Sequence, residues 1–233
     1  MRQIILDTET TGLDPALGHR VIEVAALELA DRRLTGNTFQ RYVNPERAID
    51  AGAQQVHGLT DEMLADKPKF KDIADELLAF ITGAELIIHN APFDVGFLDR
   101  EFALLKRKPL AHHCPVVIDT LRMARDLHPG KRNSLDALCE RYQIDHSSRT
   151  LHGALLDAEL LAEVYLAMTR GQNSLIMDVA PTAADGLAAV AGGMAEVLAL
   201  AADAEELAAH AQYLAELDKA SKGKCVWLKL EKA

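Results

Sequence analysis

Apolar residues along this chain recur with two different periods. Short apolar runs bounded by turn residues are typical of buried strands, and the chain has such runs at residues 4–6, 21–29, 39–43, 86–88 and 116–118. Polar and small residues at 31–33 and 35–37 separate the second run from the third and predict a hairpin. The sheet is therefore predicted to begin with antiparallel strands.

Longer segments carry apolar residues at helical spacing. Residues 70–81 follow Pro68 and end at Gly83, and further helices are predicted over 92–105, from 119, from 133–134 and over 153–168. Strands come first and then alternate with helices, which predicts an α/β fold with a mixed sheet, antiparallel and then parallel, flanked by helices.

The composition changes after Gly171. Alanine dominates residues 180–211, and aromatic residues nearly vanish. Alanine favours helix but buries little surface, so this part is expected to be an extension that lacks a core of its own. We expect a domain at 1–171, a linker at 172–195 and a tail at 196–233, with helix favoured in the tail.

Charge and cysteine content narrow the possible functions. A net charge of -10 argues against a protein that wraps duplex DNA by itself, because phosphate neutralisation supplies most non-specific affinity. The three cysteines have no Cys-x-x-Cys spacing, so neither a zinc site nor a disulfide framework is indicated. No apolar stretch is long enough for a bilayer, and we expect a cytoplasmic protein.

The first strand ends in paired acidic residues. Alternate side chains of a strand share a face, so Asp7 and Glu9 are expected to project together just before the break at 10–12. Two buried carboxylates repel each other unless a cation compensates them. A site for hard divalent ions is one interpretation, and a solvated strand end is the other.

Two more polar groups occur where helices begin. Asp94 lies in the first turn of the helix after 86–88, where a favourable interaction with the helix dipole is the alternative to a site role. His152 precedes Asp157 by five residues, so its ring can lean over the face that carries Asp157. A capping or surface role is the alternative for this histidine.

In their order along the chain, these segments resemble the three exonuclease motifs of the DEDD nucleases, in the subgroup whose fifth residue is histidine. The matching residues are 7–12, 89–90 with 93–94, and 152 with 157. Residues 56–58, 129–139 and 150–158 are similar to the members that proofread for bacterial replicative polymerases. The resemblance implies an RNase H-like fold and 3′-to-5′ hydrolysis of DNA that releases nucleoside monophosphates.

The resemblance also implies roles for the matched residues. Two Mg²⁺ or Mn²⁺ ions, about 3.5–4 Å apart, would flank the scissile phosphate and be held by four carboxylates: Asp7, Glu9, Asp94 and Asp157. His152 would accept the proton of the attacking water, which requires a neutral ring. Activity is therefore expected to fall in mildly acid solution.

The expected substrate is a single-stranded or frayed 3′ end, since no residue is expected to read base edges and a mispaired end frays more easily. The turn after the first strand would approach the terminal nucleotide. The expected substrate-binding residues are Thr10, Thr11, Gly12, Leu13, His57, Asn90 and Phe93. A purely structural turn histidine before Gly58 is the alternative for His57.

Two later segments resemble partner-binding sequences. Residues 172–177 are similar to a short sliding-clamp-binding segment, in which Gln172 would enter a polar notch and Leu175 and Met177 an apolar pocket. A Gln-led string also occurs by chance in linkers. The terminal segment around Trp227 resembles the one that binds the catalytic (alpha) subunit of the polymerase, and folding back onto the domain is the alternative. A small accessory subunit is a further expected partner.

Two rival functions stay open at this stage. A free-standing 3′-to-5′ exoribonuclease would use the same carboxylates and metals, but it would not need a terminal tryptophan behind a linker. A mainly structural, polymerase-stabilising subunit would not need an intact set of four carboxylates with His152.

Overall fold

The computed structural model describes residues 2–147, 149, 151–170, 203–221 and 227. They belong to two compact units, Met1–Asp178 and Val179–Ala233. Gln172, Leu175 and Met177 of the expected clamp-binding segment lie outside the described residues, as does the expected linker, so the boundary near Gly171 stays a prediction. Among the described helices, none is long and apolar enough to cross a membrane.

The first unit is built on a five-stranded sheet. Its strands are β1 (Arg2–Thr10), β2 (Val21–Ala30), β3 (Arg33–Tyr42), β4 (Glu85–Ile88) and β5 (Val117–Asp119). The order is β3-β2-β1-β4-β5; β1, β2 and β3 pair antiparallel, and β4 and β5 run parallel to β1. The predicted mixed sheet is confirmed, and β1 lies at its centre.

The helices of the first unit are α1 (Ala51–His57), α2 (Asp61–Leu64), α3 (Phe70–Ile81), α4 (Ala91–Leu104), α5 (Leu110–His113), α6 (Thr120–Leu127), α7 (Leu135–Tyr142) and α8 (Ala154–Met168). The long predicted helices are confirmed to within one or two residues. Helices α1, α2 and α5, and a 3-10 turn at Pro15–Leu17, were not predicted. Each is too short to repeat the helical period of apolar residues.

The predicted hairpin between β2 and β3 is confirmed, but its connection is shorter than expected. Asp31 and Arg32 both adopt left-handed backbone angles, with φ of 48° and 64°. Two consecutive residues of this kind form the tight turn that matches the twist of paired strands. Residues 35–37 consequently lie within β3, where Thr35 and Asn37 donate hydrogen bonds to the Glu28 carboxylate.

Successive side chains of β1 point to opposite faces of the sheet, so they pack against different layers of helices. Ile4 and Leu6 pack into a core with residues of α3 and α4, whereas Ile5 packs into a second core with residues of α7 and α8. Since alternate residues share a face, Asp7 lies on the same face as Ile5, towards α8. Thr8 lies on the same face as Leu6, towards α4. The end of β1 therefore meets both helices that carry the other expected carboxylates.

In the second unit the structure describes α9 (Ala204–Ala220) and the single residue Trp227. Asp203 caps α9 by accepting hydrogen bonds from the Glu205 and Glu206 amides, and Glu206 bonds back to the Asp203 amide. This reciprocal cap and the high alanine content explain why the segment is helical. The Trp227 residue is 65% exposed.

Candidate active site

The acidic end of β1 lies beside the start of α8. Glu9, His152 and Asp157 each offer a ligand atom within 4.8 Å of the others. Asp7, His152 and Asp157 line one cavity of about 610 Å³. His152 Nδ1 lies 3.2 Å from Asp157 Oδ2, as expected for a ring that leans over the start of this helix.

Asp94 joins this cluster from the first turn of α4. Its side chain is buried, and Oδ1 accepts hydrogen bonds from the Thr8 amide at 3.0 Å and the Thr8 hydroxyl at 2.7 Å. Because Thr8 stands between Asp7 and Glu9, these bonds fix the helix to the acidic strand end. The carboxylate of Asp94 is thereby held next to the other three.

The burial of this cluster opposes ionisation. Burial, with the neighbouring Asp157 carboxylate, raises the pKa of Glu9 to about 8. Burial also raises the pKa of Asp94 to about 7 and, with the charge of Asp94, raises the pKa of Asp7 well above its ordinary value. A nearby cation stabilises the ionised form of carboxylates whose pKa is raised in this way. Their oxygen ligands and mutual proximity fit hard divalent ions.

Arg149 bonds to this cluster, and its role was not predicted from the sequence. Its Nε and Nη2 donate to Asp157 Oδ1 and Oδ2 at 2.5 and 2.7 Å, and its Nη1 donates to Asp136. Burial alone would raise the pKa of Asp157, but hydrogen bonds and charge from His152 and Arg149 lower it. Asp157 is thus the one of the four carboxylates whose pKa is lowered.

Glu23 is a further buried carboxyl residue beside the cluster, and the sequence did not reveal it. It lies opposite Glu9 in the β1–β2 register, and it is only 2% exposed. Its Oε2 accepts from the Ala154 amide at 3.2 Å, and its Oε1 accepts from Gln40 Nε2 at 2.8 Å. Ala154 is the first residue of α8, so Glu23 fixes the helix that carries Asp157 to the sheet.

A groove of about 440 Å³ adjoins the carboxylates on the other side of Glu9. It is lined by five of the expected substrate-binding residues: Thr10, Gly12, Leu13, His57 and Phe93. Leu13 is 84% exposed, so its apolar side chain is accessible at the groove. At Gly12, a Cβ atom would lie 2.3 Å from the His19 ring, so only glycine permits this close approach.

His57 is the last residue of α1. Its Nδ1 accepts a hydrogen bond from the Leu59 amide at 3.0 Å, which leaves the proton of the neutral ring on Nε2. Nε2 is buried and has no hydrogen-bond partner among the described residues. Burial lowers the pKa of His57, although a contact with the Thr10 backbone opposes the effect. The ring therefore lines the groove while its Nε2 atom stays buried.

The other two expected substrate-binding residues take different positions. Thr11 is fully buried: its amide donates to the Arg20 carbonyl, and its hydroxyl contacts His19 Nδ1. Asn90 precedes α4 in a left-handed conformation, and its amide donates to Asp119 Oδ1. Among the described residues, neither of them lines the groove or the cavity. Their direct contact with substrate stays a prediction.

Comparison with known proteins places the chain among exonucleases. The family model described as "Exonuclease" matches residues 4–165. The chain is 53% identical to DNA polymerase III subunit epsilon of Pasteurella multocida, covering 98% of this chain and 94% of that protein. It is 51% identical to the same subunit of Escherichia coli, covering 97% of each.

Solved structures agree with the fold. Exonuclease X in complex with 5′ overhanging duplex DNA is 27% identical, with a TM-score of 0.58 over 73% of this chain and 93% of that one. Escherichia coli exonuclease I with a dT13 oligonucleotide is 21% identical, with a TM-score of 0.64 over 75% of this chain and 42% of that one. The chain therefore belongs to the exonuclease family and, within it, to the DNA polymerase III epsilon subunits.

Proposed function

We propose that two divalent metal ions, held by the clustered carboxylates, carry out the 3′-to-5′ proofreading hydrolysis of this DNA polymerase III epsilon subunit. The observation that carries the proposal is the convergence of Asp7, Glu9, Asp94 and Asp157 from one strand and two helices. A stable core gives no reason to bury Glu9, Asp94 and Asp157 beside a partly exposed Asp7, because each buried carboxylate costs free energy unless a cation compensates it.

The four carboxylates would hold Mg²⁺ or Mn²⁺. When bound, the ions would lower the pKa of the attacking water and neutralise charge on the departing 3′ oxygen. His152 is 3.2 Å from Asp157 and its side chain is 45% exposed, so its ring can reach a water in the cavity. The neutral ring would take the proton from that water, as a general base.

The groove beside Glu9 would hold the terminal nucleotide. The exposed Leu13 and the Phe93 ring offer apolar surface for a base, and His57 lines the same groove. None of these contacts reads the hydrogen-bonding edge of a base. A frayed end would therefore be preferred because it enters without the cost of melting.

Binding of the rest of the DNA strand would depend on basic residues close to the carboxylates. The net charge is -10, yet Arg125, Lys131 and Arg132 line the cavity that contains Asp7. These residues are suited to the phosphates that follow the scissile one. Weak binding by the isolated chain would then be supplemented by the polymerase catalytic subunit, bound through the tail around Trp227.

The test compares 3′ digestion of matched DNA primers, mismatched DNA primers and RNA, with and without the cognate polymerase subunit. We expect Mg²⁺-dependent release of nucleoside monophosphates, fastest from the mismatched DNA and slowest from RNA. Faster digestion of RNA would instead favour an exoribonuclease. Absence of digestion from every substrate, with polymerase stabilisation retained, would favour a structural subunit.

Asp7→Asn and Glu159→Gln test whether the carboxylates carry the reaction. Asp7→Asn should reduce the rate by more than about 10²-fold, because metal binding supplies several kcal/mol of stabilisation to this class of reaction. Glu159 is exposed on α8, two residues from Asp157, and its variant removes the same charge outside the cluster. Equal rates in both variants would remove Asp7 from the site.

A further inference from the structure

Arg149 places a positive charge directly beside the Asp157 carboxylate. Its guanidinium donates to both oxygens of that carboxylate, at 2.5 and 2.7 Å, and its side chain is only 6% exposed. A bidentate pair of this kind combines two charge-assisted hydrogen bonds and is therefore strong. The geometry thus gives Asp157 a complete counter-charge supplied by the protein itself.

The same guanidinium engages His152. Arg149 Nη2 lies 2.8 Å from His152 Nδ1. A guanidinium only donates hydrogen bonds, so Nδ1 must accept, and a neutral His152 in this arrangement carries its proton on Nε2. The alternative bond of Nδ1, donation to Asp157 Oδ2 at 3.2 Å, requires the other tautomer. The two bonds are mutually exclusive, and the shorter one belongs to Arg149.

Asp136 provides a second place for the same positive charge. It accepts from Arg149 Nη1, and its own side chain is 53% exposed at the start of α7. A guanidinium that leaves Asp157 can therefore stay paired with Asp136 at the rim of the cavity. Arg149 has one buried partner that a metal ion would need and one exposed partner that it would not.

We propose that Arg149 is a resident counter-cation that holds the exonuclease site in a resting state, and that a divalent ion must displace it from Asp157 towards Asp136 to load the site. In the resting state both oxygens of Asp157 are occupied, and Nε2 of His152 bears a proton and cannot act as a base. Displacement frees the Asp157 oxygens, and it lets the ring proton move through water from Nε2 to Nδ1, which leaves Nε2 able to act as the base. The inference rests on the metal site proposed above and adds a competition within it.

Mn²⁺ titration by calorimetry of the full chain tests the competition through opposite effects of two variants. Arg149→Gln should bind Mn²⁺ about tenfold or more tightly, because a positive charge at this range changes carboxylate energetics by at least one pKa unit. Asp136→Asn removes the alternative partner of Arg149, so it should bind Mn²⁺ more weakly, by up to about fivefold for a largely exposed pair. Arg122→Gln on α6 is the control, since it removes the same charge from an exposed position outside the cavity lining and should leave Mn²⁺ binding unchanged.

The ring nitrogens of His152 give an independent readout by ¹⁵N NMR without metal. The wild type should carry its proton on Nε2, and Arg149→Gln should shift it to Nδ1, bonded to Asp157. Unchanged or weaker Mn²⁺ binding by Arg149→Gln, or the same tautomer in both proteins, would overturn the inference while leaving the metal site intact. A wild type that binds no Mn²⁺ would overturn the metal site as well.

Discussion

Glu9 and Glu23 lie directly opposite each other across the β1–β2 pair, and both side chains are buried. Like charges in this arrangement destabilise a sheet. Glu23 is bonded to the first amide of α8 and to Gln40, whereas the pKa of Glu9 is raised to about 8 by burial and by Asp157. The folded protein is therefore destabilised at this position, and a bound cation would remove the destabilisation.

The contribution of Glu9 to the stability of the metal-free protein should fall as the pH rises from about 5 to about 8. Glu9 has an ordinary pKa of 4.5 and a folded-state pKa of about 8. Between these values the unfolded chain has lost a proton that the folded chain retains, so a rising pH favours unfolding. Thermal unfolding in a chelator, measured from pH 5 to 8, should show this decline, and Mn²⁺ should reduce or abolish it.

Glu9→Gln is the control for the assignment to this carboxyl group. The variant cannot ionise at this position, so its melting temperature in chelator should depend less on pH than that of the wild type. Asp157 does not interfere, because its pKa is lowered and its contribution changes only in more acid solution. Equal pH dependence of the wild type and Glu9→Gln in chelator would contradict the electrostatic account.

Gly12→Ala should damage the groove, and Gly52→Ala should not. A Cβ atom at position 12 would lie 2.3 Å from the His19 ring, whereas a Cβ at position 52 meets nothing within 4 Å, although both glycines line the groove. Overpacking of this kind costs about 1–3 kcal/mol. Alanine within helix α1 should instead be neutral or stabilising by up to about 1 kcal/mol.

Denaturant unfolding and the KM for single-stranded DNA measure the two effects. Gly12→Ala should lower the free energy of unfolding and raise KM, because His19 must move and the turn that faces the groove moves with it. Gly52→Ala should keep the wild-type KM. Equal behaviour of the two variants would show that the close approach of Gly12 to His19 does not shape the groove.

The alternation of β1 made part of the site predictable from the sequence. Asp7 and Glu9 are two residues apart in a strand, which places them on one face whatever the rest of the fold. The short spacing from His152 to Asp157 likewise restricts how far the ring can lie from the helix start. Such relationships depend only on local geometry. In the structure, Asp7 and Glu9 both lie beside Asp157, and so does His152.

Relationships that depend on pairing were not predictable. Glu23 lies within an apolar strand, and only the register of β2 on β1 places it opposite Glu9. Arg149 lies in the connection between α7 and α8, where no periodicity fixes a direction, and its two carboxylate partners come from different helices. The position of Asp157 had a sequence pattern, but that of Arg149, which pairs with it, had none.

His152→Ala should reduce the rate of 3′ digestion by about 10²- to 10⁴-fold, the usual contribution of a general base. Calorimetry with Mn²⁺ separates this role from that of a ligand, since His152 also lies within 4.8 Å of Glu9 and Asp157. A base should leave the Mn²⁺ affinity nearly unchanged. His112→Ala, an exposed histidine on α5, is the control. Loss of affinity in parallel with the rate would assign His152 to the metal instead.

Trp227→Ala should weaken association with the polymerase catalytic subunit and leave the nuclease rate on single-stranded DNA unchanged. The residue is 65% exposed, and a large exposed aromatic is a frequent anchor of protein interfaces, where truncation costs about 2 kcal/mol or more. Tyr213→Ala on α9 is the matched control, because it removes a second aromatic ring that is 60% exposed in the same tail. A titration of labelled chain with the subunit should therefore give a dissociation constant raised at least about 30-fold for Trp227→Ala and little changed for Tyr213→Ala. Equal weakening by both variants would spread the binding energy over the tail, and an unchanged constant for Trp227→Ala would exclude this residue as the anchor.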